Sequence, residues 1–430
     1  MVFSIINIVV CVIFAIYGIQ KDKVIPNPLT LFCSIWGLIV FLSSLQLYGL
    51  FETDDIFYFY ILIGCICFII SYLFVQNCNF RFRIKKKNSF NYIINYKMLY
   101  LLNVLCILYY LYQIYLLKKQ ISILNMFVIQ QYLRNDLSTL ITNKYLRLLN
   151  SFIIGPISYA MPSVVAADIW IGKRDKKLVL LTTILLIIKA FSTGNRSALM
   201  ILFFLLITDA LIKQKFQKFS LYSKWKTSSR KLKRKISVIS IIGILVFISM
   251  SISRNWQIAK NMYLYFAIEP YMFQVWGNIV ESEHLIGFGM TSLSGFIFPI
   301  AYFFQMLFGF STMPTNYQNI YNLIDSTVTL WKMVGTNIPA NAYVSLFWYF
   351  FVDGRIIGII IGSLIFGIVC SHYFKILAKY FNVKNLCIYN MILLAVFYSY
   401  VRMQFALPNF VLSLLFIRVI PFKKINNIHA

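Results

Sequence analysis

Residues 178–212 read LVLLTTILLIIKAFSTGNRSALMILFFLLITDALI. Two apolar stretches flank the tip Phe191-Ser192-Thr193-Gly194-Asn195-Arg196-Ser197-Ala198-Leu199, which leaves no room for a true loop. A membrane span takes about 20 predominantly apolar residues. The stretch therefore predicts a tight helical hairpin inside a bilayer, and with it the fold class: an all-α polytopic membrane protein. A fixed charge in such a place is costly and marks a functional site by default. Arg196 is the first candidate residue.

The rest of the chain agrees. Its 430 residues are 60% hydrophobic and only 12% charged, with a mean hydropathy of +0.76. Soluble domains carry about 25% charged residues. Spans are expected at 2–19, 29–50, 56–76, 99–117, 149–171, 178–191, 197–212, 236–252, 356–374, 386–401 and 409–421, which makes 11. The run 292–310 is apolar enough to cross, and 340–352 is apolar but short; if both cross, the number is 13. Pro299, Gly295, Gly309 and the turn Gly287-Phe288-Gly289 favour a broken or re-entrant element, tolerated where it lines a cavity. The first span has no basic segment before it and reads as a retained helix, not a cleaved signal.

The net charge of +27 does not point to nucleic acid. Most Lys and Arg fall in loops 20–28, 77–98, 172–177 and 213–235, after the 356–374 span, and at the C-terminal end. All of these lie on one side by parity, which places that side in the cytoplasm. The N-terminus is then outside and the C-terminus inside. Three regions follow: an N-terminal bundle of eight spans (1–252), an outer-face loop domain with interfacial or re-entrant helices (253–355), and C-terminal spans (356–430). The eight cysteines lie mostly in apolar runs without zinc-ligand spacing and read as packing residues.

Arginine is distributed unlike lysine. The inner loops are rich in lysine, whereas Arg134, Arg147, Arg196, Arg254, Arg355 and Arg402 all fall on the outer side. Guanidinium is a rigid fork that binds phosphate or carboxylate bidentately, a task lysine does not replace. Arg196, Arg254, Arg355 and Arg402 stand near the outer ends of spans, as a cationic rim for a lipid pyrophosphate or as anchors that snorkel to headgroups. Asp353 and Glu269 are candidate bases, with Asp353 alternatively an N-cap for the following span. Tyr271 belongs to an aromatic run (263–276) suited to sugar stacking or to an interfacial belt. Glu281, Glu283 and His284 cluster without helical ligand spacing, so no metal site is assigned. No cofactor motif, P-loop or metal–nucleotide-sugar element occurs, which argues against a nucleotide-fed cytoplasmic transferase.

The Ser192-Thr193-Gly194-Asn195-Arg196-Ser197 tip resembles the "TGxR" element of oligosaccharide repeat-unit polymerases, the Wzy-type O-antigen or capsule polymerases. The later series is similar too: Gly289-Met290-Thr291 before an apolar run, then Pro339-Ala340-Asn341-Ala342-Tyr343, then Asp353-Gly354-Arg355-Ile356-Ile357-Gly358. Together they cover residues 180–375. Arg355 stands where the family pattern carries an apolar residue. The resemblance implies an inverting, metal-independent glycosyltransferase at the outer face of the bacterial inner membrane. Its donor and acceptor would be undecaprenyl-pyrophosphate-linked oligosaccharides, its pathway partners a flippase and a chain-length regulator. The residues themselves suggest the roles: Arg196 with Asp353 or Glu269 as base are the catalytic candidates, and Arg254, Arg402, Asn341, Tyr343 and Tyr271 the substrate-binding ones. A lipid-linked oligosaccharide flippase and an O-antigen ligase are the alternatives.

Overall fold

The computed structural model describes residues 2–78, 91–120, 141, 143–194, 197–216, 258–308 and 315–425. In chain order the helices are α1 (Val2–Asp22), α2 (Pro28–Ser44), α3 (Asp55–Asn77), α4 (Tyr96–Gln120), α5 (Lys144–Leu149), α6 (Gly155–Trp170), α7 (Lys176–Thr193) and α8 (Ser197–Phe216). They continue with α9 (Ile258–Ala267), α10 (Glu269–Ser282), α11 (Ser294–Phe308), α12 (Thr315–Thr329), α13 (Ser345–Lys379), α14 (Val383–Phe397) and α15 (Pro408–Val419). Among the described residues, strands are confined to two short antiparallel pairs: β1 (Asn91–Ile94) with β4 (Phe422–Ile425), and β2 (Lys332–Gly335) with β3 (Ile338–Ala340).

Among the described residues, seven helical segments are long and apolar enough to cross a membrane: 2–22, 55–77, 96–120, 145–170, 197–216, 345–379 and 383–400. Each overlaps a stretch that hydropathy singles out. The expected span 29–50 is shorter than anticipated, since α2 ends at Ser44. The 236–252 span lies outside the described residues. Helix α11 has 15 residues, so at 1.5 Å per residue it reaches roughly 22 Å, short of the ~30 Å hydrocarbon thickness.

The chain forms two compact units. One comprises 1–82, 257–375 and 392–411; the other comprises 83–256, 376–391 and 412–430.

In the first unit, Asn27 makes the α1–α2 turn. Its Oδ1 accepts from Thr30 N at 2.7 Å, and its Nδ2 donates to Val24 O and Gly18 O. Pro28 then occupies the first helical position, where a missing N–H costs nothing. The core is aromatic: Phe32 stacks on Phe68 at 3.9 Å, and Trp36 lies 4.5 Å from Phe347. Trp36 satisfies its indole by donating to Ser399 Oγ at 3.1 Å.

Helix α13 is broken at Gly354–Arg355, where Arg355 has φ 54° and ψ −135°. A side chain added at Gly362 would run into the ring of Phe350, and one at Gly358 into the Phe350 carbonyl. In a straight helix, residues 350 and 362 would stand about 18 Å apart. The chain therefore reverses at the break, and 345–353 folds back onto the start of 356–379. This separates the apolar run 340–352 from the span 356–374, as the sequence reading anticipates. It also gives Gly358 and Gly362 their reason: close helix packing requires small residues there.

In the second unit, α5 passes through one π turn (Asn150–Ile154) into α6, whose residues are almost all buried. Cross-helix polar bonds hold this unit together: Thr182 Oγ1 donates to Asn103 Oδ1, Ser163 Oγ to Cys387 O, and Ser413 Oγ to Pro156 O. Asp175 caps α7 by accepting from Leu178 N at 2.7 Å. The hairpin expected over 178–212 is present as α7 and α8. Gly194 ends α7 at φ 62°, a left-handed conformation that glycine adopts without a Cβ penalty.

Candidate functional site

The site is built in the first unit on the segment Asn341–Ser345, which joins β3 to α13. Ala342 and Ser345 both have left-handed backbones, φ 71° and 61°. Such conformations cost non-glycine residues of order 1–3 kcal/mol each and persist only where the surroundings impose them. Here the surroundings do. Ala342 N donates to Thr327 O at 2.8 Å, and Val344 N to Val401 O at 3.2 Å. Asn341 Nδ2 donates to Val328 O, and Ser345 forms a parallel bridge with Arg402. Ser345 Oγ then accepts from Phe347 N and Trp348 N, capping α13.

Against this segment lies Glu269, the first residue of α10. Its side chain is fully buried, and neither carboxyl oxygen makes a well-formed hydrogen bond. Burial pushes its pKa up to about 8, and the nearby Ser345 hydroxyl pulls partly the other way. A carboxyl that is neutral at pH 7 and ionises just above it is poised for proton transfer. Unpartnered buried carboxyls are rare, and each asks for an explanation.

Arg402 closes the other side of Ser345. It is half-buried, and among the described residues no hydrogen bond or ion pair ties down its guanidinium. An aromatic wall runs alongside: Tyr343 lies 6.1 Å from both Tyr265 and Tyr400, and Phe266 stacks on Tyr400 at 5.3 Å. The structure thus places Glu269 near Ser345, whose backbone bridges that of Arg402, while Tyr343, two residues before Ser345, packs against Tyr265 and Tyr400. Asn341 shapes the loop through its backbone contact. Tyr271 faces elsewhere, with its ring 5.5 Å from Phe51.

Asp353 has a different task. Its Oδ1 accepts from Thr291 N and its Oδ2 from Ser292 N, both at 2.9 Å. Gly287 N and Phe288 N bind the carbonyls of Val352 and Asp353. The residue caps the turn that leads into α11, not the helix that follows it in sequence. Any side chain at Gly287 would meet Asp353 Oδ1 and Thr291 Oγ1, which accounts for the Gly-Phe-Gly turn. Arg355 is also engaged: Nη2 donates to Val280 O at 2.9 Å, and the guanidinium lies 5.0 Å from the Phe351 ring.

Arg196 and Arg254 lie outside the described residues. One turn before the end of α7, the second unit holds a residue that sequence reading passes over. Lys189 donates to Ser158 Oγ at 2.8 Å and lies 6.0 Å from the Tyr110 ring. A single lysine inside an apolar run adds little to a hydropathy average. Ser345 and Tyr400 were missed as well. The available signals were a serine ahead of an apolar run, as a helix cap, and a tyrosine two residues from Arg402.

The fold defines a multi-pass α-helical membrane protein. No family model, curated protein or solved structure matches the chain.

Proposed function

We propose that the chain is a membrane-embedded glycosyltransferase that polymerises undecaprenyl-pyrophosphate-linked repeat units into a surface polysaccharide. The observation that carries this reading is Glu269: a buried carboxyl with no well-formed hydrogen bond and a pKa of about 8, near the strained Ser345 that bridges the backbone of Arg402. An activated lipid-linked donor needs no nucleotide site. It needs a base for the acceptor hydroxyl and a cation for the departing pyrophosphate.

In this reading the acceptor sugar stacks on Tyr343 and its neighbours, and Glu269, once ionised, takes the proton of its hydroxyl. That oxygen attacks the anomeric carbon from the face opposite the leaving group, and a new glycosidic bond forms. The bond to the pyrophosphate breaks, its electron pair leaves with the phosphate oxygen, and configuration inverts. Arg402 stabilises the charge on that oxygen. Asp353, whose oxygens are both taken, holds the fold and leaves base work to Glu269. The expected topology has 11 spans in the bacterial inner membrane, with the N-terminus outside, the C-terminus cytoplasmic, and this site at the outer face.

A flippase is the second reading. It is favoured by Lys189 and the fully buried Asp209 inside helices of the second unit, since transporters place charges within their bundles. The deletion phenotype separates the two. Loss of chain length with single repeat units still displayed supports the polymerase; loss of all surface glycan overturns it. Purified protein given defined lipid-linked repeat units is expected to make polymer, and Glu269→Gln is expected to lose this activity while remaining folded.

A further inference from the structure

Within the second unit, Asp209 of α8 and Asn390 of α14 are both fully buried. Asn390 Nδ2 donates to Asp209 Oδ2 at 2.9 Å. Two oxygens of this pair, Asp209 Oδ1 and Asn390 Oδ1, are left with no partner. Carboxyl and amide groups carry their two polar atoms at nearly the same spacing. A pair joined along one edge can close along the other, and the remaining atoms here, Asp209 Oδ1 and Asn390 Oδ1, are two oxygens without a donor.

One proton resolves both vacancies. We propose that Asp209 and Asn390 form an intramembrane proton-binding site. Asp209 carries the proton on Oδ1 and donates it to Asn390 Oδ1, which closes a cyclic acid–amide pair with two hydrogen bonds. The neutral pair removes the cost of an isolated carboxylate in an apolar interior. It also gives each acceptor its partner, as buried polar groups require.

The surrounding groups point the same way. Lys213, one turn further along α8, directs its amino group to the Trp170 carbonyl and lies 5.9 Å from the Trp170 ring. Asp168 of α6 is saturated by Tyr96 Oη at 2.7 Å and Asp175 N at 2.9 Å. Cys387, one turn before Asn390, directs its thiol to Ser163 O and accepts the Ser163 hydroxyl at its own carbonyl. A hard metal cation takes about six oxygen ligands, and this pair offers two unclaimed ones. Loss of the proton would set two bare acceptors against each other, so proton release is linked to separation of α8 from α14 at this level. The site stands whether or not the glycosyltransferase reading holds.

The test uses the full chain, purified in lipid nanodiscs. Infrared difference spectroscopy of wild type against Asp209→Asn at pH 7 is expected to show the carbonyl band of a protonated carboxylic acid, shifted by deuterium exchange. The band of Glu269, common to both proteins, cancels. Asp209→Asn is expected to keep the wild-type melting temperature, because an amide–amide pair reproduces both bonds, and Asn390→Leu to lower it. If Asp209→Asn does not fold, Asn390→Asp serves instead, with the acid band retained by a proton shared between two carboxyls. An absent acid band, or a melting temperature that rises with sodium in wild type but not in Asp209→Asn, would overturn the proposal; the latter marks an alkali-cation site.

Discussion

Glu269 and Asp353 belong to the same unit, and each stands beside a left-handed backbone, at Ser345 and Arg355 respectively. Their surroundings are opposite. Asp353 accepts two backbone N–H groups from a turn some 60 residues earlier in the chain, so its charge is spent on holding α11 to the break in α13. Glu269 is buried more completely and accepts no well-formed hydrogen bond, only a weak pull from the Ser345 hydroxyl. A satisfied acid is architecture. An unsatisfied acid, held in place by a strained loop, is stored reactivity that the fold must stabilise elsewhere. Sequence reading offered both as candidate bases; the hydrogen bonds separate them.

Substitutions can break that contrast, and the largest stability effect is expected at Asp353. Asp353→Ala removes the acceptor of two N–H groups, each bond to a charged group contributing about 1.5–3 kcal/mol. Thermal melting in detergent should show a loss of roughly 3 kcal/mol or more. A variant as stable as wild type would deny Asp353 its structural role. Gly362→Leu should follow, because the added side chain meets the Phe350 ring and overpacking costs about 1–3 kcal/mol. Ser345→Ala should be milder, about 1 kcal/mol for the lost helix cap. It should also raise the Glu269 pKa further, since the hydroxyl opposes the effect of burial.

Glu269 carries a pH signature of its own. The folded protein keeps its proton up to about pH 8, whereas the ordinary value is 4.5. Between those limits the folded state binds more protons than the unfolded state. Stability therefore falls as pH rises across that window, by about 1.4 kcal/mol per pH unit. Glu269→Gln should flatten this dependence in melting curves taken across the window. An unchanged slope in the variant would mean that Glu269 ionises normally.

Much of the fold was readable from hydropathy, because a bilayer demands long apolar runs wherever the chain crosses it. The α7–α8 hairpin was readable from Gly194, the residue type that adopts φ 62° without strain. The interruption at 353–355 was readable from Asp-Gly-Arg between apolar stretches. Its reversal was not, because it depends on Phe350 meeting Gly358 and Gly362 across the fold. For the site, Glu269, Arg402 and Tyr343 were readable as charged or aromatic residues near span ends. Ser345 was not, since a serine before an apolar run has many ordinary uses. The partners of Asp353 escaped because the turn it caps is distant in sequence, and Asp209–Asn390 because the two stand some 180 residues apart in mainly apolar helices.

The most direct test of the central claim is the pH dependence of polymer synthesis by purified wild-type protein and Glu269→Gln, each supplied with a defined lipid-linked repeat unit. The wild-type rate should climb as pH rises toward and through about 8, with Glu269→Gln slower by about 10²–10⁴-fold across the range. A Glu269→Gln rate equal to wild type, or a wild-type profile flat through that region, would contradict it.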